Sequence, residues 1–254
     1  MHTARNTTRP HSQMNRILKL TLAAVILTGT VRAGDIAVKD GQKIAFLGDS
    51  ITQGGVGPDG YVTLTIRGLE SAGVKASAIP AGISGHKSND MLARLEKDVL
   101  SKKPDWMTLS CGVNDVWHGK NGVPLEDYKK NITQIVEKCQ AAGIKVMLLT
   151  STMIGEDQPN ANNQKLVPYN EFLRTLAKEK KCLLADLNAD MQAAIAAAGA
   201  DKKGNLLTGD GVHMNPAGNR MMAIGVLKAF GLSAEQLEAA QKSWTEKAKA
   251  RPSN

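Results

Sequence analysis

Lys43-Ile44-Ala45-Phe46-Leu47-Gly48-Asp49-Ser50-Ile51-Thr52 places four consecutive apolar residues directly before a glycine, an acid and a serine. A short, unbroken apolar run that stops at a turn signal is the mark of a strand buried on both faces. Comparable runs recur downstream, so strands are expected at 43–47, 74–79, 106–109, 145–150 and 182–187. Helical spacing fills the gaps between them. Leu125, Tyr128, Ile132, Ile135, Val136 and Cys139 fall on one stripe, as do Met91, Leu92, Leu95 and Val99, and Tyr169, Phe172, Leu173 and Leu176. A later helix opens at Asn215-Pro216, where Asn caps and Pro suits the first helical position. Alternating strands and helices with nearly continuous apolar strands imply a parallel sheet covered on both faces. The expected fold is therefore α/β: a three-layer α/β/α, flavodoxin-like, doubly wound arrangement with a five-stranded parallel sheet. In such folds ligands bind beyond the carboxyl ends of the strands, at the topological switch point.

The loops after those strands carry the polar residues. Gly48-Asp49-Ser50-Ile51-Thr52 follows the first strand, Ala81-Gly82-Ile83-Ser84-Gly85 the second and Cys111-Gly112-Val113-Asn114-Asp115 the third. Asp210-Gly211-Val212-His213 precedes the last core helix. Together these clusters contain the parts of an acyl-transfer site. Ser50, presented at a strand-to-loop turn, is a nucleophile only if a base takes its proton. Past residue 33 the histidines are His86, His118 and His213, and of these His213 has a carboxylate three residues before it, Asp210. That spacing on a tight turn lets the acid hold the imidazole in one tautomer. Gly85, with no side chain in the way, the Asn114 amide and the Ser50 N–H are the donors for an oxyanion. Asp49 and Asp115 read as residues tying loop amides together. Asp49, Trp117 and His118 are also candidates for the substrate rim, with His86 beside them. No metal and no cofactor are called for.

Composition excludes other classes. The chain has 254 residues, 42% hydrophobic and 22% charged, as in ordinary globular proteins. Its formal net charge of +8 is concentrated at the start: five of the 32 bases, and no acid, lie in residues 1–33. The remaining 27 bases face 24 acids, a net charge of +3. No dense basic face with neighbouring aromatics is visible, so nucleic acid is not an expected partner. Residues 1–33 read as a signal peptide: Arg16 and Lys19, an apolar stretch over 20–27, then Val31-Arg32-Ala33 as a cleavage site. Met14 is an alternative start. The expected location is secreted or periplasmic, with no stable membrane span once the signal is removed. Residues 34–232 read as one catalytic domain and 233–254 as a polar helical tail, in which Leu237 and Trp244 can dock one face. Cys111, Cys139 and Cys182 fit neither a disulfide framework nor a zinc site and read as small buried hydrophobes.

The stretches 44–53, 82–95, 105–115 and 210–218 resemble, in order and spacing, the sequence blocks of the GDSL-type, or SGNH, hydrolase superfamily. The resemblance spans nearly all of the chain beyond the signal. It implies a metal-free serine ester hydrolase with Ser50 as nucleophile, His213 as base and Asp210 as orienting acid. It also implies an oxyanion hole of Gly85, Asn114 and the Ser50 amide. Pro80-Ala81-Gly82 departs from the pattern, lacking an Asn often found before the second block. Two rival classes fit the residues less well. Gly55-Val56-Gly57-Pro58-Asp59-Gly60 fits G-x-G-x-x-G, but it opens seven residues past the strand and no acid closes the second strand, which argues against a dinucleotide site. A non-catalytic carbohydrate-binding module would lack a triad member, and none is missing here. The expected substrate is a glycan or small-molecule ester bearing a short acyl group, acetyl above all, because the loops at 52–60 and 155–164 are polar. A lysophospholipase- or thioesterase-type activity is the alternative within the superfamily. The sequence does not specify the oligomeric state.

Overall fold

A computed structural model describes residues 35–199 and 204–249; the signal reading of residues 1–33 and the chain end at 250–254 lie outside them. Five strands form one all-parallel sheet: β1 (Lys43–Gly48), β2 (Ser77–Gly82), β3 (Trp106–Ser110), β4 (Lys145–Leu149) and β5 (Leu183–Ala185), in the order β2-β1-β3-β4-β5. The helices are α1 (Ser50–Gly54), α2 (Tyr61–Ser71), α3 (Ser88–Asp98), α4 (Val113–Trp117), α5 (Leu125–Ala141), α6 (Ala161–Glu179), α7 (Leu187–Ala198), α8 (Pro216–Ala229) and α9 (Ala234–Lys249). This is the expected α/β architecture. The central strands are continuous hydrophobic runs because layers cover both their faces: Ile44 to Leu47 and all of β3 are buried. The strand order reverses at β1, between β2 and β3, so the loops after β1 and β3 flank the crevice that such sheets offer to ligands.

Two strands differ from the sequence reading. The second, expected at 74–79, runs Ser77–Gly82. Val74 instead belongs to the cap of α2: Gly73 sits at φ +86°, and Val74 N–H donates back to Leu69 O at 2.9 Å. As an edge strand β2 tolerates Pro80 and stays half exposed, which blurs its hydrophobic signal. The fifth strand, expected at 182–187, is only Leu183–Ala185. Asp186 ends it by capping α7, accepting Ala189 N–H at 3.3 Å and placing Leu187 in the helix.

Asn215 caps α8 as its sequence suggests, accepting from Ala217 and Gly218 N–H with Pro216 at the first helical position. Helix α9 packs on α2; Ala240 and Trp244 enter the core, Trp244 with 1% exposure, and Leu237 packs beside them. Cys111 and Cys139 are buried and Cys182 half-buried, all free thiols. Among the described residues no helix is long and apolar enough to cross a membrane.

Candidate active site

The first loop is built to present Ser50. Strand β1 ends at Gly48, where a Cβ would collide with Thr52 Oγ1, so only glycine lets α1 fold back over the strand end. Asp49 caps α1, its carboxylate accepting Ile51 N–H at 2.9 Å. Ser50 is the next residue, at the first helical position. Thr52 Oγ1 and Tyr61 OH, 2.9 Å apart, tie α1 to α2.

The opposite wall is the loop before α8. Thr208 and Met214 form an antiparallel bridge, and Gly209 N–H donates to His213 O at 2.9 Å, closing the intervening residues into a compact turn. Within it Asp210 Oδ1 accepts the backbone N–H groups of Val212 (2.9 Å) and His213 (2.7 Å). Its Oδ2 lies 2.6 Å from His213 Nδ1, and His213 Nε2 lies 2.8 Å from Ser50 Oγ. The hydrogen bond from His213, reinforced by the two backbone N–H groups, holds the Asp210 carboxyl well below the usual carboxylate range. An ionised Asp210 can only accept, so Nδ1 carries the proton and the Nε2 lone pair faces the serine hydroxyl. The His213 and Asp210 side chains are 45% and 56% exposed, so the site opens directly at the surface.

The sequence's candidate donors for an oxyanion, Gly85 and Asn114, lie in the second and third loops. Gly85 sits at φ +76°, a conformation that favours glycine, in the turn after β2. Asn114, buried on α4, donates one amide N–H to His86 O at 3.1 Å, which fixes the amide plane and leaves its second N–H to donate elsewhere. Residues that sequence reasoning missed hold the Gly85 loop. Gln53 Oε1 accepts Ser84 N–H at 2.8 Å. The half-buried Arg94 guanidinium donates to Gly48 O (2.8 Å), Ala81 O (2.8 Å) and His86 Nδ1 (3.1 Å), joining the ends of β1 and β2 to the loop. An arginine several positions past the loop has no local spacing that would reveal this role.

The remaining sequence candidates divide. Trp117 (44% exposed) and His118 stand at the surface beside Asn114, their rings 6.2 Å apart. Asp49 does not reach the rim: it is 3% exposed and spent on its cap. Asp115 is likewise buried, accepting Ser88 N–H at 3.0 Å and the Cys111 thiol at 3.4 Å. Of the stretch 155–164, read from the sequence as a polar loop, residues 161–164 instead open α6, and Glu156 and Asn163 turn inward; a polar side chain that satisfies backbone groups looks in sequence like one that meets solvent. Among the described residues no group of three His, Cys, Asp or Glu side chains is placed to hold a metal ion.

Burial pushes the Asp49 carboxyl up to about 6, with nearby Asp115 adding to the rise and the Ile51 N–H and His213 opposing it. The folded chain therefore binds this proton more tightly than the unfolded chain, whose carboxyl titrates near 3.8. The charge on Asp49 thus costs stability increasingly as pH rises through that window, and fully above it. Asn at this position keeps a cap without the charge. Asp49→Asn is expected to stabilise the fold at pH 7.5 by about 1–3 kcal/mol, at about 1.4 kcal/mol per pKa unit, and to give no gain at pH 4. Urea unfolding at the two pH values checks this; an Asp49→Asn protein no more stable than the parent at pH 7.5 contradicts it.

Residues 46–221 match the sequence model of the GDSL-like Lipase/Acylhydrolase family. An acetylxylan esterase from Geobacillus stearothermophilus is 27% identical over 216 residues, 76% of this chain and 96% of the relative. Esterase TesA of Pseudomonas aeruginosa is 28% identical over 163 residues, 64% of this chain and 75% of the relative. Among solved structures, the acetyl xylan esterase AlAXEase superposes with a TM-score of 0.68 at 38% identity, covering 74% of this chain and 98% of that one.

Proposed function

This chain belongs to the GDSL-like lipase/acylhydrolase family and is a carboxylic ester hydrolase; from that premise we propose that Ser50 is its nucleophile and that it removes short acyl groups, acetyl first, from carbohydrate esters. The observation that carries the reading is the chain of contacts from Asp210 through His213 to Ser50 Oγ, at 2.6 and 2.8 Å. Ser50 Oγ attacks the ester carbonyl carbon while its proton passes to His213 Nε2. The carbonyl oxygen becomes an oxyanion that the Ser50 and Gly85 N–H groups and the Asn114 amide can stabilise. Collapse of the intermediate breaks the bond to the sugar oxygen, which takes the proton from His213 and leaves as a free hydroxyl. Water, activated by the same imidazole, then releases the acid from acyl-Ser50. Asp210, ionised throughout, steadies the imidazolium formed in each half.

The carbohydrate assignment is supported by the relatives named acetylxylan esterase and by a site that opens at the surface, where a polymer can reach it. Trp117, three residues past Asn114 on α4, exposes a ring on which a sugar can stack. Export directed by residues 1–33 would bring the enzyme to such a polymer. A long acyl chain needs an apolar groove instead: the six methylenes separating octanoyl from acetyl would be worth about 5 kcal/mol if buried, at about 0.8 kcal/mol each. Catalytic efficiency on a series of p-nitrophenyl esters is expected to fall at least about tenfold from acetyl to octanoyl, the profile of a site selective for short acyl groups. Acetylated xylo-oligosaccharides are expected to release acetate. Efficiency rising with chain length, with no acetate released, establishes a lipolytic or thioesterase activity instead.

A further inference from the structure

The loop after β4 contains one acid whose contacts lead to the catalytic histidine. Glu156 is 9% exposed, and its carboxylate receives a fan of donors from residues 206–208, just before the Asp210–His213 turn. Oε2 accepts Leu206 N–H at 2.6 Å; Oε1 accepts Leu207 N–H at 2.7 Å, Thr208 N–H at 2.8 Å and the Thr208 hydroxyl at 2.9 Å. Three successive backbone N–H groups thus converge on one side chain, and the last of them belongs to the residue whose bridge with Met214 closes the Asp210–His213 turn. The neighbouring Gly155 holds the tip of the same turn, its N–H donating to Gly211 O at 2.6 Å. The platform beneath is closely hydrogen-bonded. Asn163 accepts Ile154 N–H (2.8 Å) and donates to Gly155 O (3.1 Å) and Asp157 O (2.8 Å), while Asn160 donates to Ile154 O (2.8 Å), both from the start of α6. Residues 155 and 156 therefore grip both the base and the tip of the turn.

We infer that Glu156 is a positioning residue for His213: its carboxylate sets the height of the Asp210–His213 turn above the sheet and so the distance from Nε2 to Ser50 Oγ. The inference rests on the reading of Ser50, His213 and Asp210 as the triad. Charge-assisted bonds to backbone N–H groups are the strong kind, and catalytic groups tolerate displacements of only about 0.5 Å. Glu156→Gln keeps the size and one acceptor but turns an amide N–H toward a backbone N–H it cannot bond. Measured well below the unfolding temperature, this variant is expected to lose about 10- to 100-fold in kcat, with KM within about twofold. The downfield proton resonance of the His213–Asp210 hydrogen bond is expected to shift or broaden. Thr208→Val, which removes only the hydroxyl bond, is expected to give a smaller loss in the same direction and serves if the Glu156→Gln protein fails to fold. Wild-type kcat with an unchanged resonance and only a lowered Tm makes Glu156 a stability residue and overturns the inference. Ser50→Ala, assayed alongside, separates the two failures. An inactive Ser50→Ala protein with a fully active Glu156→Gln protein overturns this inference alone, whereas an active Ser50→Ala protein removes the triad and the inference with it.

Discussion

Ser50→Ala is expected to leave a folded protein with ester hydrolysis reduced by about 10⁴-fold or more, since what remains when a triad member is lost is only oxyanion stabilisation and binding. The fold is expected to survive because nothing structural depends on the hydroxyl. The cap of α1 comes from Asp49, the helix is pinned by Thr52 to Tyr61, and Ser50 Oγ touches the His213 ring. Circular dichroism and Tm should match the parent. Retention of more than about a few per cent of activity removes Ser50 as the nucleophile, because no residual mechanism supplies that much.

Asn114→Ala carries the second large effect, a fall in kcat of about 10²- to 10³-fold, the usual result of deleting one oxyanion donor. KM should move little, since the amide faces charge that develops only in the transition state. Asn114 also donates to His86 O at 3.1 Å, so its loss frees one anchor of the Gly85 loop. That second consequence pushes in the same direction, through the same oxyanion hole. Steady-state kinetics on an acetyl ester check it. A rise in KM with kcat preserved shows instead that Asn114 binds the ground-state substrate.

The parts of this molecule that are legible in its sequence are those whose signals are local. Ile44 to Leu47 and Trp106 to Leu109 announce buried strands because both their faces are covered. Ser50, Gly85 and Asn114 stand out because each closely follows a strand that ends at the same edge of the sheet. Asp210 and His213 are three residues apart and share one turn. What escapes a sequence reading is held by partners far away in the chain. Arg94 reaches Gly48, 46 positions back, and Glu156 reaches Leu206, 50 positions ahead; no periodicity encodes either contact. The second strand lies three residues later than its sequence suggests because a helix cap at Gly73-Val74 uses a β-branched residue that propensity assigns to a strand. Asp49 is legible as a tie to a loop amide, here Ile51 N–H, whereas its place on the substrate rim fails because the residue is buried.

Ser50, activated by His213, is expected to form the covalent acyl-enzyme. A small fluorophosphonate followed by intact-mass and peptide mass spectrometry tests it most directly. A single adduct is expected, located on Ser50, with labelling abolished in Ser50→Ala and slowed by orders of magnitude in His213→Ala. An adduct on another residue, or an active enzyme that takes up no label, would contradict it.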